Sequence, residues 1–369
     1  MGVQARAMEG VAVSPQFWRG KRVLLTGHTG FKGGWLSLWL QELGATVAGY
    51  ALPPDAGENL FELAEIGKQM HSVFGDVRDR ESLEALFGKF RPDIVFHLAA
   101  QALVRKSYVE PVETYQVNVM GTVHLLEAVR KSESCRVVVN VTSDKCYENK
   151  EWVWGYRESD PMGGHDPYSN SKGCAELVTA TYRSSFFEST TERNVAIASA
   201  RAGNVIGGGD FSKDRIIPDF MAAIKHGKSL YVRNPNAVRP WQHVLEPLSG
   251  YLLLAEKLWS DPKFAQGWNF GPAPDDIRPV HWIVKKLNDY WDKPISWEID
   301  ERPKPHEAHL LMLDSTKARM MLGWKPRWTL EQALRAVARW HSAYKEGDSP
   351  RKVSLDQISS YESLFEANP

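Results

Sequence analysis

The 369-residue sequence has few cysteines and no long apolar run, and each shortage excludes a class of protein. Its three cysteines, Cys135, Cys146 and Cys174, form no C-x-x-C pair and are odd in number. A disulfide framework is therefore excluded and a reducing compartment is expected. No run of about 18 apolar residues is present, which argues against a membrane span. These shortages together predict a cytoplasmic protein.

An excess of charge of one sign is also missing. Lys plus Arg and Asp plus Glu each number 45, so the formal net charge is zero. A neutral chain supplies no sequence-independent attraction for nucleic acid or an anionic membrane, and neither is expected as a partner. An anionic small ligand must then be held by a few placed basic groups. Tryptophan, in contrast, is abundant with 14 residues, which indicates large buried contacts.

Short apolar runs alternate with helical patterns over the first 200 residues. The runs are 22–27, 46–52, 73–76, 93–100, 136–143 and 195–200, and helical spacing separates them. This alternation predicts an α/β protein with a Rossmann-type doubly wound parallel sheet. Ligands of such sheets bind beyond the carboxyl ends of the strands, so the residues after each strand are the candidates for function.

The pattern loosens after residue 205, which predicts a division of the chain. We expect a loose leader over 1–19, a dinucleotide-binding domain over 20–205 and a polar tail over 347–369. Residues 206–346 are predicted to form mainly a smaller, mixed C-terminal lobe that binds substrate. Gly207–Gly209 looks like a flexible break between the two parts.

The first chemical motif is a glycine loop between the first strand and the first long helix. Gly27, Gly30 and Gly33 follow a G-x-x-G-x-x-G pattern, with Phe31 and Lys32 between them. A diphosphate needs exposed N–H groups at a helix N-terminus without Cβ atoms in the way, so this context favours dinucleotide binding over a plain glycine turn.

The choice between NAD and NADP depends on an acidic residue after the second strand, and this sequence lacks one there. An acid that binds ribose is expected at the end of the second strand, but residues 49–52 are Gly-Tyr-Ala-Leu. The residues by themselves therefore do not decide whether the cofactor is NAD or NADP. Asp76, after the third strand, is either an adenine contact or a turn cap.

Tyr168 and Lys172 stand four residues apart at the start of a predicted helix. Positions i and i+4 share one helix face, so the phenol and the ammonium converge. A neighbouring cation lowers a tyrosine pKa that starts near 10, and we expect Tyr168 to act as a base on a hydroxyl group. The spacing is frequent by chance, and its weight comes from the glycine loop upstream.

A third cluster, Thr142-Ser143-Asp144-Lys145, follows the fifth predicted strand. Ser143 can hydrogen-bond the same hydroxyl group that Tyr168 deprotonates, and Asp144 and Lys145 add an acid and a base beside it. The alternative is a turn in which Ser143 and Asp144 cap the next segment. The position at the carboxyl end of a strand favours a site.

Isolated arginines in the second half are candidate anchors for an anion. Arg215, Arg239 and Arg302 carry the paired N–H groups that match a diphosphate, although each alone is more often a surface residue. The histidines, such as His97 and His243, show no ligand spacing with cysteines or acids, so no metal site is predicted.

Several strings together resemble the extended short-chain dehydrogenase/reductase family over residues 20–345. They are the glycine loop, His97-Leu-Ala-Ala100, the Tyr168-x-x-x-Lys172 pair and Leu322-Gly-Trp-Lys-Pro326. Two more specific strings, Thr26 to Trp35 and Thr142 to Tyr147, are similar to those of nucleotide-sugar 4,6-dehydratases that act on CDP-glucose. The dTDP-glucose enzymes carry Thr-Asp-Glu where this chain has Ser143-Asp144-Lys145.

The resemblance implies a lyase of deoxysugar biosynthesis that uses NAD as a recycled cofactor and CDP-glucose as its small-molecule substrate. Tyr168, assisted by Lys172 and Ser143, would take the proton of the sugar's 4-hydroxyl. Asp144 would protonate the departing 6-hydroxyl, and Lys145 would remove the proton of carbon 5, where the dTDP enzymes use glutamate. A homodimer or homotetramer is expected.

The resemblance also implies binding residues. Contacts to the cofactor are expected at Gly27, Gly30, Phe31, Lys32, Gly33, Asp76, Val77, Leu98, Ala99, Ala100, Thr142, Tyr168 and Lys172. Contacts to the sugar nucleotide are expected at Asn204, Arg215, Arg239 and Arg302.

Three alternatives remain at this point. The chain could be another nucleotide-sugar dehydratase, or an epimerase or reductase of the same fold. A protein that only senses a dinucleotide would keep the glycine loop but would not need Tyr168 with Lys172.

Overall fold

Within residues 11–187, 195–291, 293–302 and 308–366, which the computed structural model describes, the chain forms thirteen strands and thirteen α-helices. The strands are β1 (Arg22–Thr26), β2 (Thr46–Ala51), β3 (His71–Phe74), β4 (Ile94–His97), β5 (Val137–Val141), β6 (Ala196–Ala202), β7 (Val205–Ile206), β8 (Leu230–Val232), β9 (Val238–Pro240), β10 (Gln242–His243), β11 (Gly267–Phe270), β12 (Ile277–Pro279) and β13 (Trp297–Ile299).

The helices agree with the predicted alternation. They are α1 (Pro15–Trp18), α2 (Phe31–Glu42), α3 (Leu60–Leu63), α4 (Arg80–Phe90), α5 (Val104–Val109), α6 (Pro111–Tyr115), α7 (Gly121–Lys131), α8 (Pro167–Tyr182), α9 (Ile216–His226), α10 (Leu245–Ser260), α11 (Val280–Asp289), α12 (Leu330–Glu346) and α13 (Pro350–Glu366). Short π-helical turns cover Gln116–Met120, Arg183–Phe187 and Ala318–Leu322, and 3-10 turns cover Ile66–Gln69, Asp144–Cys146, Pro262–Phe264 and Pro274–Asp276.

A seven-stranded parallel sheet in the order β11-β6-β5-β4-β1-β2-β3 forms the centre of the fold. The predicted doubly wound parallel sheet is confirmed. The connections run in opposite directions on either side of β1 and β4, so the crevice beyond the carboxyl ends of these two strands is where such a sheet binds ligands.

Both faces of the sheet are buried, which explains why its strands are almost continuously apolar in sequence. In β1, Val23 and Leu25 belong to one hydrophobic core and Leu24 to the other. The first core includes residues of α2, α10 and α13, and the second includes residues of α4, α7 and α8. The side chains of Trp18, Trp35, Trp39, Trp268 and Trp340 are fully buried, as the tryptophan content predicted.

The second half contributes a smaller lobe with its own hydrophobic core. Residues of α9, β8, α11 and α12 form this core, among them Phe220, Leu287 and Leu334. Three two-stranded pairs, β7 with β10, β9 with β12 and β8 with β13, complete the lobe. The same half also supplies β11 to the sheet and α10 to the first core, so the chain returns to the half that carries the parallel sheet after residue 206.

Both chain ends differ from the expected loose leader and tail. Val13 and Trp18 are buried in the first core, and the Trp18 indole donates to Glu256 Oε1 at 2.7 Å. Helix α13 lies where a polar tail was expected, with Ile358 and Tyr361 fully buried. Residues 1–10 of the predicted leader and 367–369 of the tail lie outside the described residues.

Gly207–Gly209, expected as a flexible break, is tightly packed. A Cβ at Gly207 would lie 2.9 Å from Phe31, and one at Gly208 would lie 2.0 Å from Trp340. The glycines are needed here because α2 and α12 approach the backbone closely. None of the described helices is long and apolar enough to cross a membrane.

The buried face of α13 leads to a test of stability. Ile358→Ala should lower the free energy of unfolding by about 2–5 kcal/mol, because it removes methylene groups from a packed core. Asp356→Ala, on the exposed face of the same helix, should stay within about 0.5 kcal/mol of the parent. Chemical denaturation measures both, and equal effects would contradict the packing of α13 into the core.

Candidate active site

The loop between β1 and α2 is a glycine cradle. Gly27 has a φ of 77°, and a Cβ there would lie 2.7 Å from Ala99 N. A Cβ at Gly33 would lie 2.0 Å from Gly27 O. Gly30 is the N-cap of α2, and no side chain caps this helix. The first N–H groups of α2 are therefore free of a side-chain cap, and the diphosphate of a dinucleotide fits this cradle.

Thr26 fixes the residues that follow β4 against the cradle. Its hydroxyl accepts hydrogen bonds from Leu98 N and Ala99 N, both at 3.2 Å, and lies 2.6 Å from His97 Nδ1. His97 Nε2 lies 3.3 Å from Thr122 Oγ1, and burial lowers the pKa of His97 to about 3. His97 is therefore a neutral ring that connects β4 with α7. Residues 98–100, which follow β4, are half-buried and adjoin the cradle.

The end of β2 carries no acid, and other contacts occupy it. The His28 ring fills the space over Gly49, where a Cβ would lie 2.3 Å from the ring. Thr29 Oγ1 donates to Leu52 O at 3.0 Å. The carboxylate of Asp76 pairs with Arg78, whose guanidinium lowers the Asp76 pKa.

Four predicted cofactor residues have other neighbours in this structure. Asp76 bonds with Arg78 in its own turn, which is its alternative role as a cap. Val77 is buried against Gly121, where a Cβ would lie 2.8 Å from its side chain. Thr142 Oγ1 donates to Glu176 at 2.5 Å. Phe31 packs beside Gly207. Their contacts to a cofactor stay predictions.

Lys32, in the first turn of α2, is within electrostatic range of the predicted catalytic residues. Burial lowers its pKa to about 8, and the charges of Asp144, Arg215 and Lys172 also act on it. The side chain therefore belongs to the electrostatic environment of Asp144, at the junction between the glycine cradle and the turn after β5.

The 3-10 turn after β5 places Ser143 and Asp144 side by side. Ser143 Oγ donates to Asp144 Oδ1 at 3.0 Å and accepts from Lys145 N at 3.2 Å. Asp144 is 3% exposed, and its Oδ2 has no hydrogen-bond partner within the described part of the chain. Burial raises the pKa of Asp144, against the opposing charge of Lys145. A carboxyl group in this environment retains its proton more readily and can serve as an acid.

Helix α8 presents Tyr168 and Lys172 on one face. Asp166 caps the helix by accepting from Ser169 N at 2.9 Å, and Pro167 fills the first helical position. The hydroxyl of Tyr168 hydrogen-bonds with Ser143, and Lys172 Nζ lies 3.5 Å from Val141 O. The structure thus brings together residues that the sequence carries in two separate strings.

The expected lowering of the Tyr168 pKa is wrong for this arrangement. Burial raises the pKa of Tyr168 to about 12, and the hydrogen bond with Ser143 offsets only part of that increase. Burial also lowers the pKa of Lys172 to about 8, against the opposing charge of Glu176. Tyr168 is therefore a neutral phenol at pH 7, and a further positive charge beside it is needed for it to act as a base there.

The sequence reasoning missed a buried ion pair directly behind the catalytic residues. Glu176, one turn beyond Lys172, accepts from Arg201 Nε at 2.9 Å and from Ser199 Oγ at 2.5 Å. Arg201 also donates to the hydroxyl of Tyr147 at 2.6 Å. The pair connects α8 with β6 and with the segment after the catalytic turn. The spacing 168, 172, 176 was the signal that Glu176 shares the face of Tyr168.

A second missed group is a buried amide between α8 and the loop after β4. Asn118 Oδ1 accepts from Gln101 N at 2.8 Å, and its Nδ2 donates to Gln101 O at 3.0 Å and to Ser171 Oγ at 2.9 Å. Asn118 lies in the π-helical turn before α7, a distortion that a helical pattern in sequence does not reveal.

The predicted substrate residues are in different environments. Arg215 pairs with Asp210 at 3.0 Å, and its charge acts on Tyr168. Arg239 is buried and donates to the carbonyl oxygens of Val238, Ala308 and His309.

The other two predicted substrate residues are at the edge of the site or away from it. Asn204 follows β6, and its carbonyl oxygen accepts from Gln242 N at 3.0 Å. Arg302 pairs with Asp300 at 2.7 Å and is 77% exposed. A direct role in holding a diphosphate stays a prediction for all four residues. In the described ranges, no group of three or more histidine, cysteine or acidic residues could hold a metal ion.

Comparisons with known proteins show which family the chain resembles over most of its length. The family model described as GDP-mannose 4,6 dehydratase matches residues 24–337. The CDP-glucose 4,6-dehydratase of Salmonella typhimurium is 53% identical over 95% of this chain and 98% of that relative. The dTDP-glucose 4,6-dehydratase of Neisseria gonorrhoeae is 28% identical over 87% of this chain and 95% of that relative.

Two solved structures show the same fold. The UDP-glucose 4-epimerase of Thermotoga maritima with UDP-glucose has a TM-score of 0.75 at 23% identity, covering 88% of this chain and 99% of that one. The dTDP-glucose 4,6-dehydratase of Bacillus anthracis in complex with NAD has a TM-score of 0.73 at 21% identity, covering 90% and 100%. At these identities the likeness shows the fold alone.

The glycine cradle predicts the effect of adding one methyl group. Gly33→Ala should lower the free energy of unfolding by about 1–3 kcal/mol and abolish dinucleotide binding, because the new Cβ meets the Gly27 carbonyl. Gly88→Ala is the matched control, since a Cβ there meets nothing within 4 Å inside helix α4. Denaturation and calorimetric titration with NAD measure both effects, and retained NAD binding in the Gly33 variant would exclude the cradle.

Proposed function

Because the chain belongs to the GDP-mannose 4,6-dehydratase family, we propose that it converts CDP-glucose to CDP-4-keto-6-deoxyglucose and water. The observation that carries this proposal is the meeting of Tyr168, Ser143 and Asp144 in one hydrogen-bonded group beside Lys145. One part of this group suits removal of a hydroxyl proton, and another suits protonation of a leaving hydroxyl. A dehydration that begins with an oxidation needs both.

NAD fits the glycine cradle, and when bound it supplies the hydride acceptor and donor that lets the reaction end without net oxidation. The N–H groups at the start of α2 would hold its diphosphate, with Gly27 and Gly33 allowing close approach of the backbone. We assign NAD rather than NADP from the family. A cationic nicotinamide in the crevice would add its positive charge to that of Arg215, which already acts on Tyr168.

The chain's residues divide the oxidation at carbon 4 between them. Tyr168 removes the proton of the 4-hydroxyl, and its hydrogen bond with Ser143 lowers the pKa of Tyr168, which favours the phenolate form. Lys172 is buried behind the turn, with its ammonium 3.5 Å from Val141 O, and adds positive charge. Lys32 and Arg215 add further positive charge around the same group.

The elimination of water is assigned to Asp144 and Lys145, in the 3-10 turn after β5. A ketone at carbon 4 acidifies the hydrogen of carbon 5, and Lys145 removes that proton. The bond between carbon 6 and oxygen breaks, and Asp144 gives its proton to the departing oxygen, which forms water. The raised pKa of Asp144 suits this role, since a carboxyl group must hold its proton until the bond breaks. Lys145 returns its proton to carbon 5 at the end.

The proton balance of the reaction gives a role to Ser143, which lies between Tyr168 and Asp144. After one cycle Tyr168 has gained a proton from the 4-hydroxyl, and Asp144 has lost one to water. Ser143 hydrogen-bonds with Tyr168 and lies 3.0 Å from Asp144 Oδ1. A transfer through its hydroxyl group restores both residues without proton exchange with the solvent.

The remaining assignments belong to the same proposal. We assign four residues to the binding of the sugar nucleotide: Asn204, Arg215, Arg239 and Arg302. The charge of Arg215 acts on Tyr168 and lowers its pKa. We also assign a cytoplasmic location and a homodimer or homotetramer. None of the three cysteines, which all lie within the described residues, forms a disulfide, and this suits a reducing compartment.

The direct test is incubation of the purified protein with NAD and either CDP-glucose or dTDP-glucose. The CDP-sugar should yield a 4-keto-6-deoxy sugar with loss of one water, detected by mass spectrometry, at a kcat/KM at least about tenfold above that of the dTDP-sugar. A 4-epimer without loss of water, or turnover of dTDP-glucose alone, would refute the proposed reaction.

Two variants separate the two halves of the reaction. Tyr168→Phe removes one hydroxyl group, and turnover should fall by about 10²–10⁴-fold with no ketone formed. Lys145→Met should still form the 4-ketone but should stop the entry of solvent deuterium at carbon 5. Mass spectrometry in D₂O distinguishes them. Wild-type deuterium entry in the Lys145 variant would remove this residue as the base.

A further inference from the structure

Three buried polar atoms near the carboxyl ends of β5, β6 and β11 lack a hydrogen-bond partner among the residues that the structure describes. They are Asp144 Oδ2, Gln242 Oε1 and the hydroxyl of Tyr251. Their residues are almost fully buried. Buried polar atoms in native proteins nearly always bond to protein, ordered water or ligand, so three such atoms in one region indicate a polar guest.

The first contact is at the end of β6, where Gly203 and Asn204 connect Asp144 with Gln242. A Cβ at Gly203 would lie 3.1 Å from Asp144 Oδ2 and 2.4 Å from Pro240 Cγ. The glycine therefore leaves the Asp144 oxygen uncovered on the side of β6. The next residue, Asn204, accepts a hydrogen bond from Gln242 N at 3.0 Å, which fixes Gln242 beside the same strand end.

The second contact is at Phe270, the last residue of β11. Gln242 Nε2 donates to Phe270 O at 2.8 Å, so its Oε1 is the part of the amide that remains available. The Tyr251 ring packs edge-on against the Phe270 ring, with 5.6 Å between centroids. Burial raises the pKa of Tyr251, and the charges of Asp144 and Tyr168 raise it further, so the hydroxyl of Tyr251 is within electrostatic range of both residues.

The three atoms match the hydrogen-bonding capacity of one water molecule. An ionised Asp144 oxygen and Gln242 Oε1 are acceptors, and the Tyr251 hydroxyl is a donor. A water molecule donates two hydrogen bonds and accepts at its oxygen. Buried waters typically make about three hydrogen bonds to groups that are otherwise unsatisfied.

We propose that Asp144 Oδ2, Gln242 Oε1 and the Tyr251 hydroxyl form the site that receives the water eliminated from the sugar, an inference that rests on the proposed function. The bond between carbon 6 and oxygen breaks, and the oxygen takes the proton of Asp144. The new water donates to the Asp144 carboxylate and to Gln242. Tyr251 donates to its oxygen, and the same hydrogen bond stabilises the negative charge that develops on this oxygen as the bond breaks.

Tyr251→Phe tests the role of the donor. In single-turnover experiments, formation of the 4-ketone should keep its wild-type rate, while formation of the 6-deoxy product should slow about tenfold. Tyr361→Phe is the control, because this buried tyrosine has a protein partner for its hydroxyl, Glu246 Oε2 at 2.7 Å. Thermal unfolding establishes that both variants are folded. Equal slowing of both steps, or no slowing, would overturn the assignment of Tyr251.

A crystal structure of the wild-type protein provides a readout that does not depend on activity. An ordered water should lie within hydrogen-bond distance of all three atoms, and it should be lost in Tyr251→Phe. Absence of this water in the wild type would overturn the site. Failure of the wild type to convert CDP-glucose contradicts the proposed function itself, whereas normal conversion by Tyr251→Phe contradicts only this inference.

Discussion

The buried ion pair between Glu176 and Arg201 is the contact on which the arrangement of the active site depends. It connects α8, which carries Tyr168 and Lys172, with β6, and through Tyr147 with the segment after the catalytic turn. Loss of one partner of such a buried pair costs about 3–5 kcal/mol, because the other charge remains buried without compensation. Serine and threonine hydroxyls that also donate to Glu176 complete its solvation.

Burial then decides the chemistry of the groups that this contact positions. It raises the pKa values of Asp144 and Tyr168 and lowers those of Lys172 and Lys32. All four shifts favour the uncharged form of the group concerned. A cationic cofactor and an anionic sugar nucleotide change that balance when they enter. The protonation states of these four groups therefore depend on the charges of the bound ligands.

The two halves of the molecule are less separate than a division at residue 206 implies. Strand β11 and helix α10 complete the sheet and carry Phe270 and Tyr251 to the catalytic group, and α13 packs on the same core. Two of the three residues assigned to the departing water, Gln242 and Tyr251, therefore come from the half that was expected mainly to bind the sugar nucleotide. Both halves of the chain therefore contribute residues to the proposed site around the turn after β5.

Local pattern in the sequence was sufficient for the parallel sheet, the glycine cradle and the shared face of Tyr168 and Lys172. Each of these depends on residues within a few turns of one another, where periodicity and backbone sterics act directly. Only the tertiary structure decided that Ser143 joins Tyr168 to Asp144, that residues 350–366 form a packed helix, and that the Tyr251 hydroxyl has no partner among the described residues. It also reversed the expected direction of the Tyr168 pKa shift. Desolvation and long-range contacts cause these features, and both arise from segments that are separate in the sequence and meet only when the chain folds.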